Sequence, residues 1–191
     1  LKGREGEAVA APCVTIMDDP HRPGSASSSP FDGEGVATVV KAVIEDGKLN
    51  TLLHNLKTAK KQGVETTANA SRPGYAAPVG VAPSNFYFKP AGDGFEAMLE
   101  KLGDGLLITE LQGMHAGANP ITGDFSLAAK GFRVRGGRVA GAVAQITVAG
   151  NFYELLNAVE AVGGDLEFQA PGGSCFGSPS LLVRGLSVAG L

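Results

Sequence analysis

The sequence is poor in cysteine, in charge and in long apolar runs, and each shortage excludes a class of protein. The two cysteines, Cys13 and Cys175, lie far apart and in no CxxC pattern, so we expect free thiols in a reducing compartment. No stretch approaches the roughly 18 apolar residues of a membrane span. The opening, LKGREGEAVAA, lacks the apolar core of a signal peptide. We therefore expect a soluble cytoplasmic protein.

Charge and length narrow the possibilities further. Charged residues make up 18% of the chain and the net charge is -3, which argues against a disordered chain and against a nucleic-acid-binding face. A length of 191 residues suits one compact domain, residues 1–191. The first residue is Leu1, and no helix or strand signal follows it. We expect a fragment of a longer protein whose N-terminal domain is absent.

The common catalytic motifs are also missing. The sequence GGSCF at 172–176 places phenylalanine where a nucleophile elbow needs its last glycine. No phosphate-binding GxxxxGK[ST] loop occurs. The three histidines, His21, His54 and His115, are isolated and form no HExxH pair of zinc ligands. Local motifs therefore assign no catalytic residue to this chain.

The remaining single candidates each allow a structural and a functional interpretation. His54 suits a surface or packing role. Asp18, Asp19 and His21 form either a loop metal site or an ordinary solvated turn. Cys175 is a metal ligand or nucleophile in one interpretation and a small, partly buried side chain in the other. In each case the structural interpretation is favoured.

The stretch TELQGMHAGANPITGDFS at 109–126 leaves two interpretations open. Gly113 and Gly117 permit positive φ and let another backbone approach without a Cβ in the way. Such a site suits an extended peptide bound by strand addition, and it equally suits a tight return of the strand. We expect His115 to bond a neighbouring backbone group rather than act as an acid or base.

Glycine, in contrast, is abundant, with 28 residues, about twice the usual share of roughly 7%. This abundance favours antiparallel sheet with many turns. Asp46-Gly47 and Gly136-Gly137 lie between apolar runs and predict two hairpins. Further strands are predicted at 85–88, 105–111, 145–150 and 180–190, and residues 14–17 form a short apolar run.

Three short helices are predicted, each with a glycine at its end. The first is LKTAKKQ, ended by Gly63; the second has a capping box at Asp93 and Glu96; the third is capped by Asn151 and ends at Gly163. Residues 36–63 and 125–163 share one order of strand, turn, strand and helix, a weak internal duplication. The predicted fold class is α+β, mostly antiparallel sheet.

The string GMHAGANPITGDFSLAAKGFRVRGGRV resembles the central block of the TldD/PmbA family, also called modulator of DNA gyrase. Further stretches follow in the family's order: DDP…SPFDGEGV, VIEDGKL…TAKKQGVETTANASR, NFYFKPA, GLLITELQG, ITVAGNFYELLNAVEAVGGDL and GSPSLLVRGLSVAG. The resemblance covers essentially the whole chain. It implies the C-terminal part of a longer family member.

The resemblance implies a two-subunit protease that acts on unfolded or small peptides, in peptide maturation and antitoxin turnover. TldD-type subunits carry a zinc-binding HExxxH helix, upstream of the residues present here, whereas PmbA (TldE) types lack the metal site. Zinc would polarise the scissile carbonyl and lower the pKa of its water. A TldD-type chain, or a second copy, is the implied dimer partner.

The subunit type depends on the region of Cys175. In TldD-type chains a third zinc ligand, a cysteine, precedes a long GxxGQ…GQP loop, and that loop is missing here. The resemblance therefore favours a PmbA/TldE-type subunit without zinc in this chain. The alternatives are a TldD-like peptidase with Cys175 as ligand, or a non-catalytic scaffold that binds peptides. The resemblance places Gly117, Asn119, Thr122 and Asp124 beside the substrate cleft.

Overall fold

The computed structural model describes residues 2–169 and 174–190. Strands and helices alternate irregularly along the chain. The strands are β1 (Ile16–Asp18), β2 (Lys41–Glu45), β3 (Lys48–Leu49), β4 (Ala70–Ser71), β5 (Gly80–Val81), β6 (Asn85–Phe88), β7 (Gly105–Gln112), β8 (Asp124–Arg135), β9 (Arg138–Asn151), β10 (Val159–Val162), β11 (Glu167–Gln169), β12 (Cys175–Ser178), β13 (Leu181–Val183) and β14 (Ser187–Ala189). The helices are α1 (Leu56–Gln62), α2 (Phe95–Leu102), α3 (Met114–Gly117) and α4 (Phe152–Asn157).

The chain divides into two compact units. The first comprises residues 1–8, 14–89 and 166–179, and the second comprises residues 9–13, 90–165 and 180–191. The first unit contains a six-stranded sheet of order β11-β12-β6-β1-β2-β3 and the small pair β4-β5. The second contains a four-stranded sheet of order β14-β9-β8-β7 and the pair β10-β13. All these pairings are antiparallel except β12 with β6, which confirms the predicted α+β class. The prediction of a single domain stays a prediction.

Both predicted hairpins are confirmed. Asp46 and Gly47 have φ of 48° and 78°, and Gly136 and Gly137 have φ of 53° and 73°. Positive φ at both central residues is the type I′ turn, whose twist matches that of the flanking strands. Asp46-Gly47 joins β2 to β3, and Gly136-Gly137 joins the two long strands β8 and β9.

Helix α1 ends as predicted, and α2 does not begin as predicted. Gly63 closes α1 with φ of 73°, and Asn55 and Thr58 form a capping box at its start. The predicted capping box at Asp93 is wrong, because the cap of α2 is Gly94 and no side chain caps it. The Asp93 carboxylate instead forms an ion pair with Lys101 at 2.5 Å.

The third predicted helix is shorter than its pattern indicated. Asn151 caps α4 as expected, with Oδ1 accepting hydrogen bonds from the backbone N–H of Tyr153 and Glu154. The helix ends at Asn157, however, and residues 159–162 form β10 because β13 pairs with them. The predicted final strand is likewise divided into β13 and β14 at Gly185, which has φ of 81°.

The apolar core follows the strand alternation. In the second unit, Ala129, Ile146 and Val148 are buried between β8 and β9 and pack against Leu106 and Phe125. A second cluster joins Met98 of α2 to Ala161 and Leu182. In the first unit the fully buried apolar side chains include Val14 and Leu49. Over the residues that are described, no helix is long and apolar enough to cross a membrane.

Candidate functional site

The segment that joins β7 to β8 forms a closed turn. Gly113 has φ of 80° and begins the short helix α3, and Ala118 then bridges back to Phe125. Asn119 Oδ1 accepts hydrogen bonds from the backbone N–H of Ile121 at 2.9 Å and of Thr122 at 3.2 Å. This Asx turn is a usual way for asparagine to stabilise a reversal of the chain.

Backbone bonds complete the turn. The Asn119 N–H donates to the Asp124 carbonyl oxygen at 2.8 Å, and the Gly123 N–H donates to the Asn119 carbonyl oxygen at 2.8 Å. The Asp124 N–H also donates to Thr122 Oγ1 at 3.3 Å. Three of the four predicted substrate-binding residues, Asn119, Thr122 and Asp124, are therefore brought together by hydrogen bonds within one turn.

A fourth side chain, Asn151, fixes this turn to α4. The Asn151 Nδ2 group donates to the Thr122 carbonyl oxygen at 2.9 Å and to Asp124 Oδ1 at 2.8 Å. The hydrogen bond from Asn151, followed by that from Thr122, lowers the pKa of Asp124 below its ordinary value, so the carboxylate is charged at neutral pH. The sequence predicted Asn151 as a helix cap and missed its bond to the turn.

Gly117 differs from its prediction in one respect. Its φ is not positive, but the close approach is present: a Cβ here would overlap the carbonyl oxygen of Ser126. The neighbouring backbone is thus β8 of the same chain, and Gly117 is needed for a tight strand return. An open depression remains on the surface, lined by residues 116–120 and 124–126. Ile121 stands beside it with 86% of its surface exposed.

The histidines are scattered. His115 lies exposed on α3, and its ring has no hydrogen bond within the described parts of the chain, so the predicted backbone bond is wrong. His54 is buried just before α1, with Nδ1 at 3.2 Å from Thr58 Oγ1, which confirms a packing role. The His21 ring contacts Thr38 Oγ1 at 3.0 Å through Nε2.

Asp18 and Asp19 do not form a metal site with His21. Asp18 is fully buried, and its carboxylate accepts four hydrogen bonds: Oδ1 from the N–H and hydroxyl of Ser84, both at 2.8 Å, and Oδ2 from Asn69 Nδ2 at 2.6 Å and Lys41 Nζ at 3.2 Å. The carboxylate of Asp19 accepts from the backbone N–H of His21. Asp18 therefore ties β1 to three other segments, a role that no local pattern indicated.

The loop at 20–35 is held in place by hydrogen bonds of polar side chains. Asn85 Nδ2 donates to the Asp19 carbonyl oxygen at 2.5 Å and to Ser28 Oγ at 3.0 Å. Asp32 Oδ2 accepts from the Ala70 N–H at 3.0 Å. The loop forms one wall of a cavity of about 300 Å³, opposite residues 68–72 and 82–84.

The two thiols are free, as predicted. Cys175 is buried in β12 opposite Asn85, and its Sγ donates to the Gln169 carbonyl oxygen at 3.4 Å. Gly172 and Gly173 of the broken nucleophile-elbow pattern lie outside the described residues. Ser174 is described, and its hydroxyl donates to the Pro83 carbonyl oxygen rather than to a base.

A zinc ion does not fit the donor set that the structure describes. Zinc needs three or four nitrogen, sulfur or oxygen ligands around one point. Within residues 2–169 and 174–190, no three His, Cys, Asp or Glu side chains lie close enough together to hold a metal. The thiol of Cys175 faces a backbone carbonyl and not a second ligand. We therefore derive no catalytic step through a metal in this chain.

Comparison with protein families identifies relatives along the whole chain. The profile described as "PmbA/TldA metallopeptidase C-terminal domain" matches residues 1–190. The metalloprotease PmbA of Escherichia coli O157:H7 is 36% identical over 162 residues, which cover 85% of this chain and 33% of that protein. A metalloprotease of Archaeoglobus fulgidus is 38% identical, over 88% of this chain and 38% of its own length. The chain thus spans about a third of the length of these relatives.

Solved structures show the same fold. A Thermotoga maritima protein, described as a candidate modulator of a DNA gyrase, superposes with a TM-score of 0.89 and 46% identity, over 99% of this chain and 42% of its own. TldE of Thermococcus kodakarensis superposes with a TM-score of 0.87 and 28% identity, over 98% of this chain and 42% of its own.

Proposed function

Because the chain belongs to the PmbA/TldD metallopeptidase family, we propose that it is the C-terminal part of a PmbA/TldE-type subunit in a two-subunit metalloprotease. The similarity to TldE supports a PmbA/TldE-type subunit, since it extends over nearly the whole chain. In this proposal the subunit shapes a substrate chamber in the cytoplasm, and a TldD-type partner performs the hydrolysis.

Zinc belongs to the partner in this proposal. The ion would polarise the scissile carbonyl and generate a hydroxide from its bound water. The geometry of Cys175 supports the assignment, because its buried thiol already donates to the Gln169 carbonyl oxygen.

The proposed contribution of this chain is to hold an extended peptide. Unfolded and small peptides present free backbone groups, which suit a surface of small side chains. Gly117, Asn119 and Asp124 line an open depression, and internal hydrogen bonds fix the turn that they share with Thr122. A fixed turn binds at a lower entropic cost than a mobile one. Peptides released in maturation and in antitoxin turnover are the proposed substrates.

The decisive experiment uses the full-length protein, with and without a TldD-type partner. We expect co-purification of the two, cleavage of an unstructured peptide by the pair alone, and zinc in the partner only. Stoichiometric zinc in this protein, lost in Cys175→Ala and retained in the control Cys13→Ala, would show a TldD-like peptidase instead.

A non-catalytic scaffold is the second candidate, favoured by the description of the Thermotoga maritima relative as a candidate gyrase modulator. The same experiment distinguishes a scaffold from a protease subunit. Binding of the peptide without cleavage, by the protein alone and by the pair, would support the scaffold and exclude the protease subunit.

A further inference from the structure

Arg72 lines the cavity between the loop at 20–35 and residues 68–72 and 82–84, all within the first unit. The volume of about 300 Å³ is at the lower end of the range for sites that hold small ligands. Arg72 is exposed, and its guanidinium forms no hydrogen bond or ion pair with any residue that the structure describes. Its N–H donors are therefore unused.

The other two arginines of the first unit have partners within the chain. Arg4 Nε pairs with Glu7 Oε2 at 2.7 Å. Arg22 Cζ lies 3.7 Å from the centre of the Phe168 ring, a cation–π contact. Arg72 differs from both, since its charge is left for a group from outside the chain.

The acidic groups near the cavity are already engaged. Asp32 also lines it, and its carboxylate accepts hydrogen bonds from three backbone N–H groups, two in its own turn and one in β4. Asp18, which is bonded to the lining residue Ser84, is paired with Lys41 at 3.2 Å. An entering cation would meet carboxylates that already have partners, whereas an entering anion would meet the unused donors of Arg72.

Two hydroxyl groups of the cavity walls are also unused. Ser71 precedes Arg72, and Ser27 belongs to the opposite wall. Both residues are half-buried, and neither Oγ has a hydrogen-bond partner in the described parts of the chain. The hydroxyls of Ser29 and Thr38, in contrast, donate to backbone carbonyl oxygens of the loop. Two hydroxyl donors and a guanidinium together suit an oxygen-rich anion.

The wall that carries Arg72 is rigid and strained. Ala68 lines the cavity, is buried and has φ of 54°, in the left-handed region that residues other than glycine rarely adopt. Its neighbour Asn69 is also buried, and its Nδ2 group donates to Asp18 Oδ2 at 2.6 Å and to the Ala82 carbonyl oxygen at 3.2 Å. Strain of this kind persists where surrounding contacts hold it, often at binding sites. A fixed wall binds a ligand at a lower entropic cost.

We propose that this cavity binds a carboxylate, that of a small organic acid or of a peptide C-terminus, with Arg72 as the main donor and Ser71 and Ser27 as further donors. A carboxylate carries one charge and accepts two parallel hydrogen bonds from a guanidinium. Phosphate is nearly doubly charged, has one free arginine here and would be repelled more strongly by Asp32. Phe31, 58% exposed, also lines the cavity and offers an apolar contact to the rest of the ligand.

Isothermal titration calorimetry of the full-length protein tests the site, without a partner and without cleavage, so the result is independent of the proposed peptidase function. The probes are N-acetyl-alanyl-alanine with a free carboxylate, the same dipeptide as its C-terminal amide, and sodium acetate. We expect the dipeptide acid to bind at least about tenfold more tightly than the neutral amide. Tighter binding of the dipeptide acid than of acetate would assign the site to a peptide C-terminus, and equal affinity would assign it to a small acid.

Arg72→Gln should raise the dissociation constant of the dipeptide acid at least about tenfold. Arg72→Lys should fall between this variant and the wild type, because lysine keeps the charge and loses the planar fork of donors. Lys57→Gln removes the same charge at another exposed position of the first unit and should bind like the wild type. Equal unfolding temperatures of Arg72→Gln and wild type would show that the fold is retained.

Four results would each overturn the proposal. They are equal affinities for the acid and the amide, an unchanged affinity in folded Arg72→Gln, tighter binding of inorganic phosphate than of the dipeptide acid, and no binding to the wild type up to about 10 mM acid.

Discussion

The side-chain amide of Asn151 donates a hydrogen bond to Asp124 Oδ1 at 2.8 Å, across 27 residues of sequence. The strand register explains the contact, because Asp124 at the start of β8 lies opposite Asn151 at the end of β9. The oxygen of the same amide caps α4. One side chain therefore both begins a helix and closes the turn that holds the predicted substrate-binding residues.

Asn151→Ala should lower the free energy of unfolding by about 1–3 kcal/mol, since it removes both a helix cap and the hydrogen bonds to the turn. Urea denaturation measures the change. Asn151→Asp is the matched variant: it keeps the cap acceptor and loses the donor to Thr122 and Asp124. We expect α4 to remain while the turn loosens. Equal stability of Asn151→Ala and wild type would contradict the dual role.

Gly117→Ala should destabilise the protein by about 1–3 kcal/mol, because the added methyl group overlaps the Ser126 carbonyl oxygen. Gly141→Ala is the control, since Gly141 has no positive φ and open space around its Cβ position. That change should be neutral or slightly stabilising, because alanine lowers the entropy of the unfolded chain. Thermal unfolding of both variants checks the difference, and equal losses would show that crowding at Gly117 is unimportant.

Asp18→Asn should cost about 3 kcal/mol, because it leaves Lys41, which is 11% exposed, without its buried counter-charge. The double variant Asp18→Asn/Lys41→Met should lose less, since no unpaired charge then remains. Glu65→Gln, at an exposed position, serves as the control. The prediction fails if chemical denaturation finds the double variant as unstable as the sum of its single changes.

The stabilising effect of Ser180 should depend on pH through Asp165. Burial opposes ionisation of Asp165, but hydrogen bonds from the Ser180 hydroxyl at 2.6 Å and N–H at 2.9 Å outweigh it, so the folded-state pKa lies below the ordinary 3.8. A lowered pKa stabilises the fold above the unfolded-state pKa, and this stabilisation is lost as the pH falls through the folded-state pKa.

Ser180→Ala should therefore destabilise the protein more at neutral pH than at about pH 3. Urea denaturation at both pH values measures the difference. The control is Ser178→Ala, whose hydroxyl donates to a backbone carbonyl and not to a carboxylate. Its effect should be the same at both pH values. A pH-independent effect of Ser180→Ala would show that its hydroxyl does not act through the charge of Asp165.

The turns and some helix ends were predictable because a few consecutive residues decide them. Asp46-Gly47 and Gly136-Gly137 have the positive φ that the hairpins require, and Gly63 ends α1 for the same reason. The capping box at Asp93 failed because the backbone of Asp93 bridges to Gly163, and the N-cap of α2 is the next residue, Gly94. Residues 159–162 became a strand because of β13, a partner about 20 residues away.

In the candidate site, too, neighbouring residues were predictable and a partner distant in sequence was not. Gly117, Asn119, Thr122 and Asp124 were placed together by the motif they share, and their role with a peptide stays a prediction. Asn151 was missed as their partner because of the strand register. If β8 and β9 paired without irregularities from Arg135 and Arg138 onwards, Asp124 would lie opposite Ala149. Two bulges shift the register by two residues, so that Asp124 lies opposite Asn151. Bulges leave little local signal in a sequence.

The sequence by itself determined the family, the α+β class and the positions of the tight turns, since each depends on residue order or on local backbone preference. The tertiary structure decided which polar groups meet: Asp18 with Asn69 across 51 residues, and Asn151 with Asp124 across 27. Such contacts depend on strand pairing, and strand pairing is set by burial and register over the whole sheet. Local backbone preferences act over only a few residues, whereas strand register depends on residues that are far apart in the sequence.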